Sequence, residues 1–347
     1  MKMKATQWTF ILSMATFICV GCKKSDSGIA KTSDFSQMTF AEVKAVADTG
    51  NAQAQFELGE RFHFGRGVPK DSTEAVSWWQ KAAVQKFPQA EVRLGVAYGE
   101  GDGVPKNEQE GIKLFQAAAD SGLPLAQVAL GSSYFFGDAV PKNYQETFRW
   151  FKAAANQGWP PAQYYVALCY RDGKGTQASS DEAVVWLQRA AGNGLANAQD
   201  ALGEYYYQKG LTEIASQLGI SVSDNNRPTQ AQLNTPLTKE QHDNPNFFRG
   251  VEWIRKAANQ GYPKAQGHLA LACAYGFGTD KDSVEACKWL TLESAKESNV
   301  VMTVIQEWKT NNLTFTPEQM TAGKKRAEEF SKTNHVVPKE ALEISNL

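Results

Sequence analysis

The chain repeats itself every 36 residues, and few chains are constrained more tightly than that. From Asn51 to Lys86 it reads NAQAQFELGERFHFGRGVPKDSTEAVSWWQKAAVQK, and the pattern returns from Phe87, from Leu123 and from Trp159. Ala54, Ala90, Ala126, Ala162 and Ala198 stand 36 residues apart, as do Leu58, Leu94, Leu130, Val166 and Leu202, and Phe62, Tyr98, Tyr134, Tyr170 and Tyr206. A fixed period in this range marks a stack of identical supersecondary units. One such unit cannot bury its own apolar face, whereas stacked units bury a continuous core. The 347 residues exceed an ordinary globular domain, but a stack extends to this length as one structure.

The unit reads as two helices. Ala54, Leu58 and Phe62 lie at i, i+4 and i+8, one stripe of a helix A. Gly65 stops it, as Gly101, Gly137 and Gly173 do in later copies, because glycine readily takes the left-handed conformation that ends helices. A turn through Val68, Pro69 and Lys70 follows. Asp71, Asn107, Asn143, Ser179 and Asp282 then stand as N-caps, each with a Glu three residues on. This spacing predicts capping boxes in which cap oxygen and Glu each satisfy a free backbone N–H. Helix B carries Trp78, Leu114, Trp150, Trp186, Trp253 and Trp289 at one position and closes at Gly122, Gly158, Gly194 and Gly261. Pro88, Pro124, Pro160 and Pro263 open the next helix A, where proline fits the first turn.

The pattern A-x-x-x-L-G-x-x-Y-x-x-G-x-G-V-P-K-[DN]-x-x-[KE]-A-x-x-W-x-x-[KQ]-A-A-x-x-G recurs about six times over residues 39–296. It resembles the Sel-one-like repeat, a relative of the tetratricopeptide repeat. The resemblance implies an all-α fold, a right-handed α-solenoid used mostly as an adaptor for other proteins. It also implies, as a second function, binding or cleavage of cell-wall material or β-lactams, an activity reported for some exported members that contain cysteines. No catalytic motif is carried over with it.

The N-terminus is a different kind of sequence. Lys2 and Lys4 precede a mostly apolar stretch from Trp8 to Val20, the length of a signal-peptide core. Gly21-Cys22 closes it and resembles the bacterial lipoprotein processing site, with Cys19 where that pattern usually has Leu. Residues 1–22 are therefore expected to be a signal peptide, with Cys22 lipidated and the mature chain anchored in the cell envelope, facing the periplasm. Residues 23–38 are polar and read as a tether spanning roughly 20–25 Å on average.

Residues 39–49 look like a lone helix B that starts the stack. The fifth repeat is interrupted: helix A is expected to end near Lys209–Gly210, and helix B to restart at Asn246. Residues 211–245 hold Pro228, Pro236 and Pro245 among polar residues and read as an extended loop with a short helix near 211–218. Two readings stay open for it, a tolerated surface insertion or a partner-binding arm. Residues 297–334 read as capping helices, one over 298–310 and one opened by Thr316-Pro317-Glu318-Gln319, followed by a tail from 335.

Basic and acidic residues balance at 36 and 37, which gives no reason to expect a nucleic acid. His63, His242, His268 and His335 are scattered without a zinc-binding spacing, and neither G-x-S-x-G nor S-x-x-K occurs. The expectation is a chain that is not an enzyme and carries no cofactor or metal. Cys273 and Cys287 fall on facing positions of the sixth repeat, where a disulfide and two small buried thiols are both open readings. What remains is the side of helix A away from its core stripe. Phe56, Phe64, Val96, Phe136, Tyr164, Leu168 and Tyr207 lie on or beside it. Apolar residues on such a face suggest a groove for a peptide or another protein. The competing reading is burial of these side chains between neighbouring A helices.

Overall fold

The computed structural model describes residues 35–137, 139–219, 238–294 and 315–333. Every regular element among them is a helix. The described residues form two compact units that divide between Ala183 and Val184.

In the first unit a 3-10 turn, Phe35–Gln37, leads into α1 (Phe40–Asp48). Four repeats follow: α2 (Ala52–Phe64) with α3 (Ser72–Val84), α4 (Pro88–Glu100) with α5 (Glu108–Asp120), α6 (Pro124–Phe136) with α7 (Tyr144–Asn156), and α8 (Pro160–Asp172) with the start of α9 (Ser180–Gly192). The second unit holds the rest of α9, then α10 (Ala196–Gln217), the single turn α11 (Lys239–His242), α12 (Pro245–Asn259), α13 (Pro263–Tyr275), α14 (Ser283–Ser294) and α15 (Pro317–Thr333). Within the first unit, α2 packs on α3, α4 on α5 and α6 on α7, and each of these B helices packs on the A helix that follows it; within the second, α10 packs on α12, α12 on α13 and α13 on α14.

The helices start and stop where local chemistry directs. Gly65, Gly101, Gly137, Gly173 and Gly276 end the A helices at φ between 67° and 80°. Asp71, Asn107, Asn143, Ser179 and Asp282 accept backbone N–H groups at the start of the B helices. The expected return half of the capping box is not made there. The cap N–H of each B helix donates instead to a carbonyl of the preceding A helix, those of Phe62, Tyr98, Tyr134, Tyr170 and Cys273. With that donor already satisfied, the Glu is free to pair with cations, as Glu110 does with Lys113 and Glu146 with Arg149. Complete capping boxes occur at Thr39, Thr238 and Thr316.

The core follows the repeat. Ala54, Leu58, Leu94, Leu130, Val166 and Leu202 are buried, as are Trp78, Trp150, Trp186 and Trp289. The Gly after the A-helix Leu lets helix B come close. A Cβ at Gly59, Gly95, Gly131 or Gly203 would lie 2.5–2.8 Å from Trp79, Phe115, Phe151 or Ile254. Basic groups cover the outer faces of the B-helix tryptophans: Lys81 lies 3.5 Å from the Trp78 ring centre, Arg149 4.5 Å from Trp150 and Lys256 4.1 Å from Trp253.

Three expectations about the ends and the interruption change. Residues 35–38, expected in the tether, belong to the fold: Phe35 is buried with Val43, Leu58 and Trp78, and Arg61 donates to the Phe35 and Met38 carbonyls at 2.9 and 2.6 Å. Helix A of the fifth repeat does not end at Gly210. α10 runs on to Gln217, because Leu211, Ile214 and Ala215 bury against Phe247 and Phe277. Gly210 serves contact here, since a Cβ would meet the Phe247 ring at 2.8 Å. The far end of the interruption is also fixed, with Glu213 accepting from the Asn244 and Asn246 amides at 2.9–3.0 Å. Residues 220–237 of the insertion, the helix expected over 298–310, Cys22 with the signal peptide, and the tail lie outside the described residues. α15 covers α14, with Phe330 5.2 Å from Trp289 and Arg326 3.2 Å from both Asp282 and Glu285.

Candidate functional site

The face expected to form a groove divides into open and closed positions. Within the first unit, Val96 is 4% exposed, and Val92, Val128 and Ser132 are buried as well. Val96 therefore lines no open surface. The middle of the row is where consecutive A helices meet, as the buried pair of Glu60 on α2 and Arg93 on α4 shows at 2.6 Å. The ends of the row stay accessible. Phe64, at the last residue of α2, is 42% exposed. The Arg66 and Arg93 guanidinium carbons lie 5.2 and 5.6 Å from its ring centre, and His63 meets its edge at 4.7 Å. Phe56, Phe136 and Tyr164, at the ends, are half-buried, as is Leu168 at the middle position of the fourth repeat. Phe56 packs 5.4 Å from Phe87, Phe136 lies 5.3 Å from Phe135, and Tyr164 lies 5.9 Å from Tyr165. In the second unit, Tyr207 packs between Phe247 at 5.0 Å and Phe277 at 6.1 Å and belongs to the core rather than to a groove.

The charges around Phe64 are coupled. Burial pushes the Glu60 carboxyl above its usual range, against the opposing pull of the adjoining Arg93 guanidinium. Burial and then Arg93 hold His63 below its ordinary value, opposed by Asp102 at 3.8 Å. At the fourth repeat, hydrogen bonding from Arg171 at 2.7 Å holds Asp172 low.

The second unit carries a related pair, of which the basic partner is in register. His268 of α13 occupies the repeat position of Arg93, and its Nδ1 lies 2.8 Å from Asp200 of α10. Lys264 adds contacts to Glu204 at 3.0 Å and Asp200 at 3.7 Å. Burial works against protonation of His268, but the charge and hydrogen bond of Asp200 outweigh it and raise its pKa.

A polar ladder between the helices was not anticipated. Gln55, Gln127, Gln163, Gln199 and Gln266 are buried, and each side-chain amide donates to a carbonyl eight residues earlier, near the end of the preceding helix B. Gln55, Gln127 and Gln199 also accept from Gln85, Gln157 and Gln260 at the close of the next helix B. The signal stood in the sequence as a recurrent Ala-Gln at the start of helix A.

Cys169, Cys273 and Cys287 are free and buried. Of the two open readings, the structure holds two separate buried thiols: Cys287 lies against Gly323 of α15, and Cys273 packs in the core around α13. Burial pushes Cys169 up to about 12 and Cys273 to about 11, so both are protonated thiols at neutral pH. Among the described residues, no group of three His, Cys, Asp or Glu side chains is placed to hold a metal ion, and no helix is long and apolar enough to cross a membrane.

Fold and face together define an α-solenoid of helix pairs with its polar couplings between consecutive A helices. The Sel1 repeat model matches residues 52–85, 88–123, 124–159, 160–195, 196–217, 244–262 and 263–292, and the chain belongs to that family. Among solved structures, it is similar to a Sel1 repeat protein from Oxalobacter formigenes, with 27% identity, a TM-score of 0.57, and coverage of 74% of this chain and all of that one. It also matches c5321, a protective antigen with this repeat fold from uropathogenic Escherichia coli, at 20% identity and a TM-score of 0.30 over 88% of this chain and 96% of that one. No curated protein matches it.

Proposed function

We propose that the chain is a non-enzymatic scaffold in the bacterial cell envelope, anchored through a lipid on Cys22, that holds a peptide or protein segment against the accessible ends of its A helices. Proteins built of Sel1 repeats generally mediate protein–protein interaction. The observation that carries the reading is Phe64, an aromatic ring left open at a helix end with two guanidinium groups beside it. Aromatic and arginine side chains are the groups that most often dominate binding energy at interfaces. Phe136, Tyr164 and Leu168, half-buried on later A helices of the same unit, extend the contact.

Purified Phe64→Ala and Tyr164→Ala proteins are expected to lose partner capture from envelope extract while keeping wild-type helicity and melting. Unfolding in these variants would place the side chains in the core. Unchanged folding and unchanged capture would move the binding surface elsewhere. The anchor is tested separately. Cys22→Ser is expected to release the protein from the membrane fraction or leave its precursor unprocessed. Unchanged fractionation, with no acyl label on wild type, would refute the lipid.

A further inference from the structure

The Gln ladder has one substituted rung. In the second repeat the ladder position holds Glu91, buried like the glutamines at its equivalents. At the other junctions two donors converge on one carbonyl at the end of the preceding helix B. Ala119, for example, accepts from Gly122 N–H at 3.0 Å and from the Gln127 amide at 3.3 Å. At the α3–α4 junction the equivalent carbonyl is that of Ala83, which accepts from Lys86 N–H at 2.8 Å. The residue in place to supply the second donor is Glu91, and its Oε2 is buried without a hydrogen-bond partner. The ladder glutamines of the first, third and fifth repeats also accept from a Gln at the end of the next helix B, but here that position is Ser121, whose hydroxyl turns back to the Ala117 carbonyl.

The same junction departs from the repeat a second time. Gly50, Gly122, Gly158, Gly194 and Gly261 take the left-handed conformation at the other helix-B ends, and this one has Lys86 at φ 58°. A side chain there strains the backbone, since the left-handed region favours glycine. Two departures from a repeated pattern therefore meet at one joint.

We propose that Glu91 is held as the neutral carboxylic acid in the folded chain and donates its proton to the Ala83 carbonyl, which makes the α3–α4 junction a proton-dependent joint. An ionised carboxylate only accepts, and set beside a carbonyl it leaves Oε2 without a donor and the Ala83 carbonyl without its second one. The protonated acid supplies the O–H that the amide N–H supplies in the other repeats. Burial favours this form, raising the affinity of Glu91 for its proton, and Lys86 opposes it. Lys86 lies in the turn itself, and no other charge acts on Glu91 from α3, α5 or α6 among the described residues. As pH rises, Glu91 gives its proton to solvent, the second bond to Ala83 is lost, and the carboxylate is drawn towards Lys86. Phe87, next to Lys86, packs 5.4 Å from Phe56, so the start of α4 loosens on the helix-A face. The sign follows from linkage. A carboxyl with raised native affinity adds stability below its unfolded value and loses that stability as pH rises through the native one. This joint is a property of the stack and stands whatever binds to the face.

The test uses the full chain in detergent and the variant Glu91→Gln, which restores the residue found at the other rungs. Carbon-13 spectra of glutamate-labelled wild type are expected to show one protonated side-chain carboxyl near neutral pH, absent from Glu91→Gln. The melting temperature of wild type is expected to fall behind that of Glu91→Gln between pH 5 and pH 9, the gap widening by about 2–4 °C, the scale of one hydrogen bond in a chain of this size. Lys86→Gly removes the opposing charge, so the midpoint of the wild-type fall should move to higher pH. Parallel melting profiles for wild type and Glu91→Gln, an ionised Glu91 carboxyl at pH 6, or a midpoint unmoved in Lys86→Gly would each overturn the proposal.

Discussion

Arg93→Met is the most informative single change in the first unit. Arg93 is 3% exposed and its Nη2 donates to Glu60, 1% exposed, at 2.6 Å. Methionine fills much of the same space but leaves the Glu60 carboxylate without its cation. Breaking a buried ion pair from one side typically costs about 3–5 kcal/mol, because the stranded charge keeps its desolvation penalty. Glu60 has a way out: burial already raises its affinity for a proton, and removing Arg93 raises it further. The penalty should therefore be largest near pH 8 and shrink towards pH 5 as Glu60 neutralises. The double variant Glu60→Leu/Arg93→Met removes both charges and should return to within about 1 kcal/mol of wild type, or exceed it. Urea denaturation of all four members of the cycle at both pH values measures this coupling directly. The reasoning fails if Arg93→Met costs under about 1 kcal/mol at pH 8, or if the double variant is as unstable as the single one.

Three further outcomes follow from the same packing. Trp150→Ala should cost about 3–5 kcal/mol, since the indole is buried between repeats, and calorimetry that shows a wild-type melt would contradict the register. Gln127→Leu should cost about 1–2 kcal/mol in denaturant titrations by taking one donor from the Ala119 carbonyl and one acceptor from Gln157, whose amide keeps its bond to the Gly122 carbonyl. The raised pKa of His268 adds stability to the second unit below its unfolded value of about 6.5, lost as pH rises through the native one. His268→Gln should erase that fall from melts taken between pH 5 and pH 9, and an unchanged pH profile would refute the pairing with Asp200.

Much of this fold was legible because its determinants are local. Gly65 and its copies, the Asp, Asn and Ser caps, and the prolines at the start of helix A act within a few residues, and the helix ends fall beside them. Gly210 misled for the opposite reason. Its sequence context looks like a helix stop, but the continuation of α10 is set by Phe247, which lies beyond the interruption. The face was only half legible. Periodicity placed Phe64, Val96 and Phe136 in one row, yet which of them is open depends on where neighbouring A helices touch. That contact is fixed by pairs such as Glu60 and Arg93, 33 residues apart. The Gln ladder was visible as a recurrence, but its partners lie on a different helix, so its role needed the packing.

The central claim is that the partner lies against the ends of the A helices and not against helix B. A photo-crosslinking amino acid placed at Phe64, 42% exposed at the end of α2, and separately at Val84, 85% exposed at the end of α3, puts the two faces in direct competition within one unit. With envelope extract, the account predicts a discrete crosslinked adduct from position 64, repeated from position 136 or 164, and none from position 84. An adduct from position 84 with none from 64, 136 or 164 would contradict it.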